Sequence, residues 1–476
     1  MALLRFPARL APWLAPSRYQ ALRQQDGSRL LAYQQHLAFY EGQHYLTPRR
    51  GRSNLVVNYA RTIVDKGVAF LVGRGLGFAV EPARPRTTGA RGLPVLATAG
   101  GADDPDDARA QAAEALLYDV ADGCDLDVVD LQCALNAAVL GDAVYKVFWD
   151  AARRQVRVVA VDPAGFFATW RPDDVITLEH VDCLYTLTAD QALTLYGLPA
   201  DPCTGAEVVE SWTAAEYRVE VAGHVVQNGP NPYGVIPFVH IANEPVPGSF
   251  WGRSDLADVV ALNRELDERF SDQADVIRFH ADPPIVFRGV EDHDSLTVGP
   301  GTVWDVPRDA DVKLLEWQGQ PAAVQDHINQ VLRALYETAE TPRTAFGDSG
   351  RLLSGVALET ELRPLIQKTL RKRVRWTAAL RQRTRLIWAV AEAVGLVPPQ
   401  SYAGLRPRII WPSMMPTDDA FEVRNNVQLV AAGLRSRRTA MDLLGTESPE
   451  AELQRVHAEL ATLGPVQTLS GMPSDG

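Results

Sequence analysis

Apolar positions along this 476-residue chain fall into blocks of different period. Before residue 80 and again over 108–140 they repeat at helical spacing. Between these blocks, 81–107 passes through Pro82, Pro85, Gly89, Gly92, Pro94, Gly100 and Gly101 into Asp103-Asp104-Pro105-Asp106-Asp107, which predicts a surface loop. Strand-type patterns occupy 144–149 and 156–161, with further strand candidates at 176–179, 217–221 and 238–241. The first 250 residues therefore predict an α+β fold.

The second half is more strongly patterned. Ser254 can cap a helix whose apolar residues Leu256, Val259, Leu262, Leu266, Phe270, Ala274 and Ile277 step by three or four until Asp282-Pro283-Pro284 stops it. Strand candidates follow at 285–287, 302–306 and 312–317, around the turn Gly299-Pro300-Gly301. Pro321 suits the first position of a second helix, which Thr341-Pro342 ends. The polar stretch 343–354, RTAFGDSGRLLS, predicts an exposed loop. From Gly355 a long stripe runs through Leu358, Leu362, Ile366, Leu370, Val374, Leu380, Ile387, Val390 and Val394, with a kink expected at Pro364. A strand at 408–411 and short helices at 420–432, 436–444 and 449–463 complete the chain, with a frayed end expected.

Composition changes this picture little. The chain is 46% hydrophobic and 22% charged, as an ordinary globular protein is, and its length suggests about three units. Its net charge of −12 excludes a protein whose whole surface grips nucleic acid. Cys124, Cys133, Cys183 and Cys203 show no C-x-x-C or zinc-knuckle spacing, so reduced, buried thiols are expected. Arg5, Pro7 and Arg9 interrupt the apolar N-terminus, and charged residues interrupt 55–80 and 386–397, so neither export nor a membrane span is expected. The reading is a soluble cytoplasmic protein.

The order of elements, together with three segments, resembles the portal (head-to-tail connector) proteins of tailed bacteriophages, of the siphophage type. Phe39-Tyr40-Glu41-Gly42 followed by Asn58-Tyr59-Ala60-Arg61-Thr62-Ile63-Val64-Asp65-Lys66 and Phe70-Leu71-Val72-Gly73 is similar to that family's opening motif. Asn231-Pro232-Tyr233-Gly234-Val235-Ile236-Pro237 resembles the segment before its first stem helix, and Ser354-Gly355-Val356-Ala357-Leu358 the start of its long helix. The resemblance spans roughly residues 35–465.

The resemblance implies a portal fold assembled as a ring of about twelve subunits at the capsid vertex, through which double-stranded DNA is packaged and leaves. It implies a wing at 1–253, stem helices at 254–281 and 321–342, and a clip at 282–320. A tunnel loop at 343–354, a long wing helix with its return strand at 355–419 and a crown at 420–476 complete the set. The implied partners are further copies of the chain, DNA, the terminase large subunit, the major capsid or scaffolding protein and a head-completion adaptor. Location in the virion, and in the host cytoplasm during assembly, follows. No catalytic residue, cofactor or metal is implied.

Gly347-Asp348-Ser349-Gly350 is shared with trypsin-like nucleophile segments, which makes a serine hydrolase using Ser349 the alternative of a different class; a Gly/Ser turn is the plainer meaning. Gly73-Arg74-Gly75-Leu76-Gly77 lacks the third glycine of a dinucleotide fingerprint, and no G-x-x-x-x-G-K-[ST] motif occurs. Between Arg363 and Arg385 stand nine basic residues and no acidic one: Arg363, Lys368, Arg371, Lys372, Arg373, Arg375, Arg381, Arg383 and Arg385. They fit a solvated face, pairing across subunits, or contact with DNA phosphates. Asp255, Asp258, Glu265, Asp267, Glu268, Asp272 and Asp275 on the preceding helix are candidate partners. A non-capsid nucleic-acid-binding scaffold is the third reading. Twelve copies would carry 12 × (−12) = −144 formal charges, a repulsive wall suited to sliding DNA. In the loop, Arg343, Ser349 and Arg351 are the DNA-touching candidates.

Overall fold

The computed structural model describes residues 18–45, 47, 52–73, 75–82, 86–88, 94–96, 105–281, 285–288, 311–314, 321–347, 355–414, 419–444, 446 and 452–458. The chain divides into two units, Met1–Pro412 and Ser413–Gly476.

The first unit is built on a three-stranded antiparallel sheet with strand order Phe238–Ala242, Asp142–Asp150, Gln155–Val161. Alternate side chains of a strand point to opposite faces. Ala143, Tyr145 and Val147 therefore join the core under the helices, while Val144 joins Phe166, Val181, Trp212, Phe238 and Phe250 on the other face. A five-stranded antiparallel sheet adjoins, in the order His224–Pro230, Glu216–Val221, Ala206–Trp212, Asp174–Leu187, Phe166–Arg171. The strands expected within the first 250 residues all lie in these two sheets. Helices Leu126–Leu140 and Gly355–Ala393 cover the first sheet, and helix Tyr59–Val72 packs on both. The fold is α+β.

Three expectations change in this half. The pattern at 108–140 is two helices, Pro105–Cys124 and Leu126–Leu140, because Asp125 between them is left-handed (φ 51°). Asp106 and Asp107 favour the first turn of the former, where the helix dipole welcomes negative charge. Inside the expected 81–107 loop, Arg86–Thr88 pairs with Pro94–Leu96, a hairpin too short to leave a period. Cys203 is exposed, while Cys124, Cys133 and Cys183 are buried and all four are free; burial pushes the Cys183 thiol up to about 12.

In the second half, helix Val260–Ala281 begins six residues after Ser254. The Ser254 hydroxyl accepts from the N–H of Leu256 and donates to the carbonyls of Ala138 and Val139, so it caps a turn and docks it on the neighbouring helix end. There Gly141 (φ 106°) and Gly252 let two backbones touch: a Cβ on Gly252 would lie 2.3 Å from the Gly141 carbonyl oxygen. Strands Ile285–Arg288 and Asp311–Leu314 pair antiparallel between helices Val260–Ala281 and Pro321–Thr338; the 302–306 candidate and the 299–301 turn lie outside the described residues. Helix Gly355–Ala393 runs 39 residues, roughly 58 Å, and continues unbroken through Pro364. Its return strand Arg406–Ile410 pairs with Gly77–Glu81 from the start of the chain.

In the second unit, helices Asp419–Ala431 and Arg437–Leu443 are joined by a turn at left-handed Gly433, and residues 452–458 are helical.

Candidate channel elements: paired helices, loop and long basic helix

The opening motif is a set of local connections. Asn58 caps helix Tyr59–Val72 by accepting from the Arg61 N–H (2.9 Å), and its amide donates to the Tyr40 carbonyl (2.8 Å). The Tyr40 hydroxyl donates to Asp65 (2.7 Å). Likewise Asn231 holds the turn Asn231-Pro232-Tyr233-Gly234: its amide donates to Thr213 and Val235 carbonyls while its oxygen accepts from the Tyr233 N–H.

Residues 53–60 lie along helix Val260–Ala281 and use one side-chain stripe of it. The N–H groups of Ser53, Leu55, Val57 and Ala60 donate to Asp275, Ser271, Asp267 and Asn263, at 2.8 to 2.9 Å. Those four acceptors are spaced i, i+4, i+8, i+12, one helix face. Asn263, Asp267 and Ser271 are fully buried. The His44 ring also hydrogen-bonds Asp267 and stacks on Phe39 at 3.8 Å. Asp267 and Asp275, expected as partners for the basic helix, thus serve backbone amides that would otherwise be unsatisfied. Helix Pro321–Thr338 packs beside this helix, with Gln273 donating to Gln325 (3.3 Å) and His327 meeting Glu265 (3.2 Å).

The long helix separates its nine basic residues by face. Lys368, Lys372, Arg373 and Arg383 are buried; Arg363, Arg371, Arg375, Arg381 and Arg385 are exposed. Lys372 and Lys368 both pair with the buried carboxylate of Asp255, and Lys368 also donates to the Ala339 carbonyl (3.2 Å). One cluster thus ties the segment leading into the first helix, the end of the second and the long helix together. Burial raises the Asp255 pKa, but Lys372 and Lys368 outweigh it and hold the carboxyl at about 2. Lys372 is pulled below its ordinary value by burial, against the attraction of Asp255 and with the repulsion of Lys368.

Arg373 donates to the carbonyls of Pro412 and Phe70 and lies over the Trp411 ring (4.8 Å). Arg383 pairs with Asp130, its guanidinium 4.8 Å from the Tyr145 ring centre. On the outer face Arg371 meets Glu340, and Arg375 lines a cavity of about 390 Å³ with Ile176, His240 and Phe250. Lys368, Lys372 and Arg373, read from sequence as facing a neighbouring subunit or DNA, find their partners inside their own chain. Asp255, among the acidic candidates, meets this helix through Lys368 and Lys372. The acidic list held it, but the N–H acceptor stripe left no signal beyond the i+4 spacing of small polar residues.

Arg343 is exposed in the 3₁₀ turn Arg343–Phe346, which left-handed Gly347 closes; the Phe346 ring lies 5.6 Å from Tyr336. Ser349 and Arg351 lie outside the described residues. Among the described residues no group of three His, Cys, Asp or Glu side chains is placed to hold a metal ion, and no helix is long and apolar enough to cross a membrane.

These elements define a structural class: buried ionic clusters tie a helix pair and a long helix into one mixed α+β body. The family model described as "Phage portal protein, SPP1 Gp6-like" matches residues 22–464, and the chain belongs to that family. It is a phage portal protein, a structural component of the virion that serves DNA packaging at the capsid vertex, within the head-to-tail connector. No curated protein matches the chain.

Proposed function

We propose that about twelve copies form a closed ring around a central channel, with double-stranded DNA passing through it. The observation that carries this is the helix pair. Leu256, Val259 and Leu266 root helix Val260–Ala281 in the core, yet from Asp272 to Phe279 it buries no side chain and leaves Ile277 62% exposed. Amphipathic helices left half-covered by their own chain are covered by neighbours in a symmetric assembly.

In this reading 1–253 with the long helix is the wing, 254–281 and 321–342 the stem, 282–320 the clip that meets the terminase large subunit, 343–354 the tunnel loop and 420–476 the crown. The capsid or scaffolding protein and a head-completion adaptor contact the outer rim, and assembly takes place in the host cytoplasm. Arg343, Ser349 and Arg351 touch DNA, while Arg371 and Arg375, on the exposed face of the basic helix with Arg363, Arg381 and Arg385, meet a neighbour. The net charge keeps the wall repulsive, so few phosphates are neutralised and sliding stays easy.

Electron microscopy and mass measurement of the purified chain test the ring: particles of about twelve subunits with a channel are expected, and a strict monomer at micromolar concentration sinks the reading. Replacing 347–352 by a short Gly-Ser linker should give normal rings that package little DNA, while Ser349→Ala packages normally. A Ser349→Ala chain that loses all function, with activity toward a serine-reactive probe in the parent, would favour the hydrolase.

A further inference from the structure

The exposed face of the long helix is not purely charged. Leu370 and Val374, one turn apart, are 49% and 74% exposed, set among Arg371, Arg375, Arg381 and Arg385. Phosphates offer nothing to such a pair of aliphatic side chains, whereas a protein surface with an apolar centre and acidic rim does. The chain itself presents one. Val128 (66% exposed), Leu131 (47%) and half-buried Leu135 share a face of helix Leu126–Leu140 at i, i+3, i+7 spacing. Exposed Asp119, Asp122, Asp125 and Asp127 surround its beginning. Beside it runs a groove of about 420 Å³ lined by Leu37, Tyr40, Gln132, Leu135, Asn136 and Leu140.

The two faces flank opposite edges of the central sheet. The long helix packs on the edge strand Phe238–Ala242 and the central strand Asp142–Asp150, whereas helix Leu126–Leu140 packs on the central strand and the other edge, Gln155–Val161, which helix Pro105–Cys124 also meets. A basic–apolar face on one flank and an acidic–apolar face on the other fit a head-to-tail contact, the kind that generates a ring when its rotation closes.

We propose that the stripe Leu370, Arg371, Val374, Arg375 and Arg381 of one copy docks on the Asp122, Asp125, Val128, Leu131 face of the next. This rests on the ring reading and names the two surfaces that join.

The test uses the full-length chain. Val374 is exposed in the protomer, so Val374→Glu leaves the thermal melt of the dissociated chain unchanged while raising the concentration for half-assembly about tenfold or more. Arg375→Glu weakens assembly, and Arg375→Glu combined with Asp122→Arg brings it back to within about threefold of the parent. Val374→Glu rings forming at the parent's concentration overturn the interface. So does a double variant no better than Arg375→Glu alone, or normal rings whose affinity for a double-stranded DNA fragment has changed, which would place the stripe on DNA. If Val374→Glu melts early, the charge pair decides. A parent chain that never assembles overturns the ring reading itself, an outcome distinct from parent rings indifferent to these substitutions.

Discussion

On helix Gly355–Ala393, Lys368, Lys372, Arg373 and Arg383 face inward, and Arg363, Arg371, Arg375, Arg381 and Arg385 face outward. The two sets are all cations at interleaved positions, with both lysines in the inward set, yet they do different work. An inward cation loses its hydration, which costs several kcal/mol unless a well-placed acceptor replaces the water. Each inward residue has such a partner in its own chain: Asp255, Asp130, or the carbonyls of Ala339, Phe70 and Pro412. The outward set keeps its water and adds little to the protomer, even where Arg371 meets Glu340 of its own chain. The run of basic residues is therefore two features, a set of architectural clamps and an exposed face, the one proposed to join neighbouring copies.

The contrast is most sharply tested at Arg383. Arg383→Met strands the buried Asp130 carboxylate and should cost about 3–5 kcal/mol in denaturant unfolding of the dissociated chain. An equal loss for exposed Arg381→Gln would erase the distinction between the faces. Asp255→Asn removes the carboxylate that the buried Lys368 and Lys372 share, and a loss of about 3 kcal/mol is expected.

The same cluster has a pH signature. The Asp255 carboxyl titrates at about 2 in the fold against an ordinary 3.8. Its stabilisation is complete above pH 4 and is lost as pH falls from about 4 toward 2, a change of about 2 kcal/mol that Asp255→Asn should remove from the acid unfolding curve. Ser271→Ala orphans the Leu55 N–H and should cost about 1–2 kcal/mol, with faster hydrogen exchange at Leu55 as its readout. At the small end, Arg371→Gln and Arg375→Gln should shift protomer stability by no more than about 0.5 kcal/mol and act only on assembly. A large folding defect there would mean that the outward face is also a clamp.

The sequence alone determined the order of the large elements. Helices Val260–Ala281, Pro321–Thr338 and Gly355–Ala393 were legible because apolar residues recur at helical spacing over many turns, although Ile277, Leu370 and Val374 of those stripes lie exposed. The motifs around Asn58 and Asn231 were legible because caps and turns are local chemistry. Strand His224–Pro230 was not, since none of its side chains is buried and no alternation survives.

Nor could any local pattern show that Gly77–Glu81 pairs with Arg406–Ile410, more than 300 residues away, or that Asp267 and Asp275 serve the amides of Val57 and Ser53. The site divided in the same way. That 363–385 is basic is composition, and period says only that some of its residues lie inward. Which cations those are, and what waits for them, depends on acceptors brought from Asp130, Asp255 and Ala339. Only the folded chain decides that, because the cost of burying a charge is set by the groups that surround it in space rather than by its neighbours in sequence.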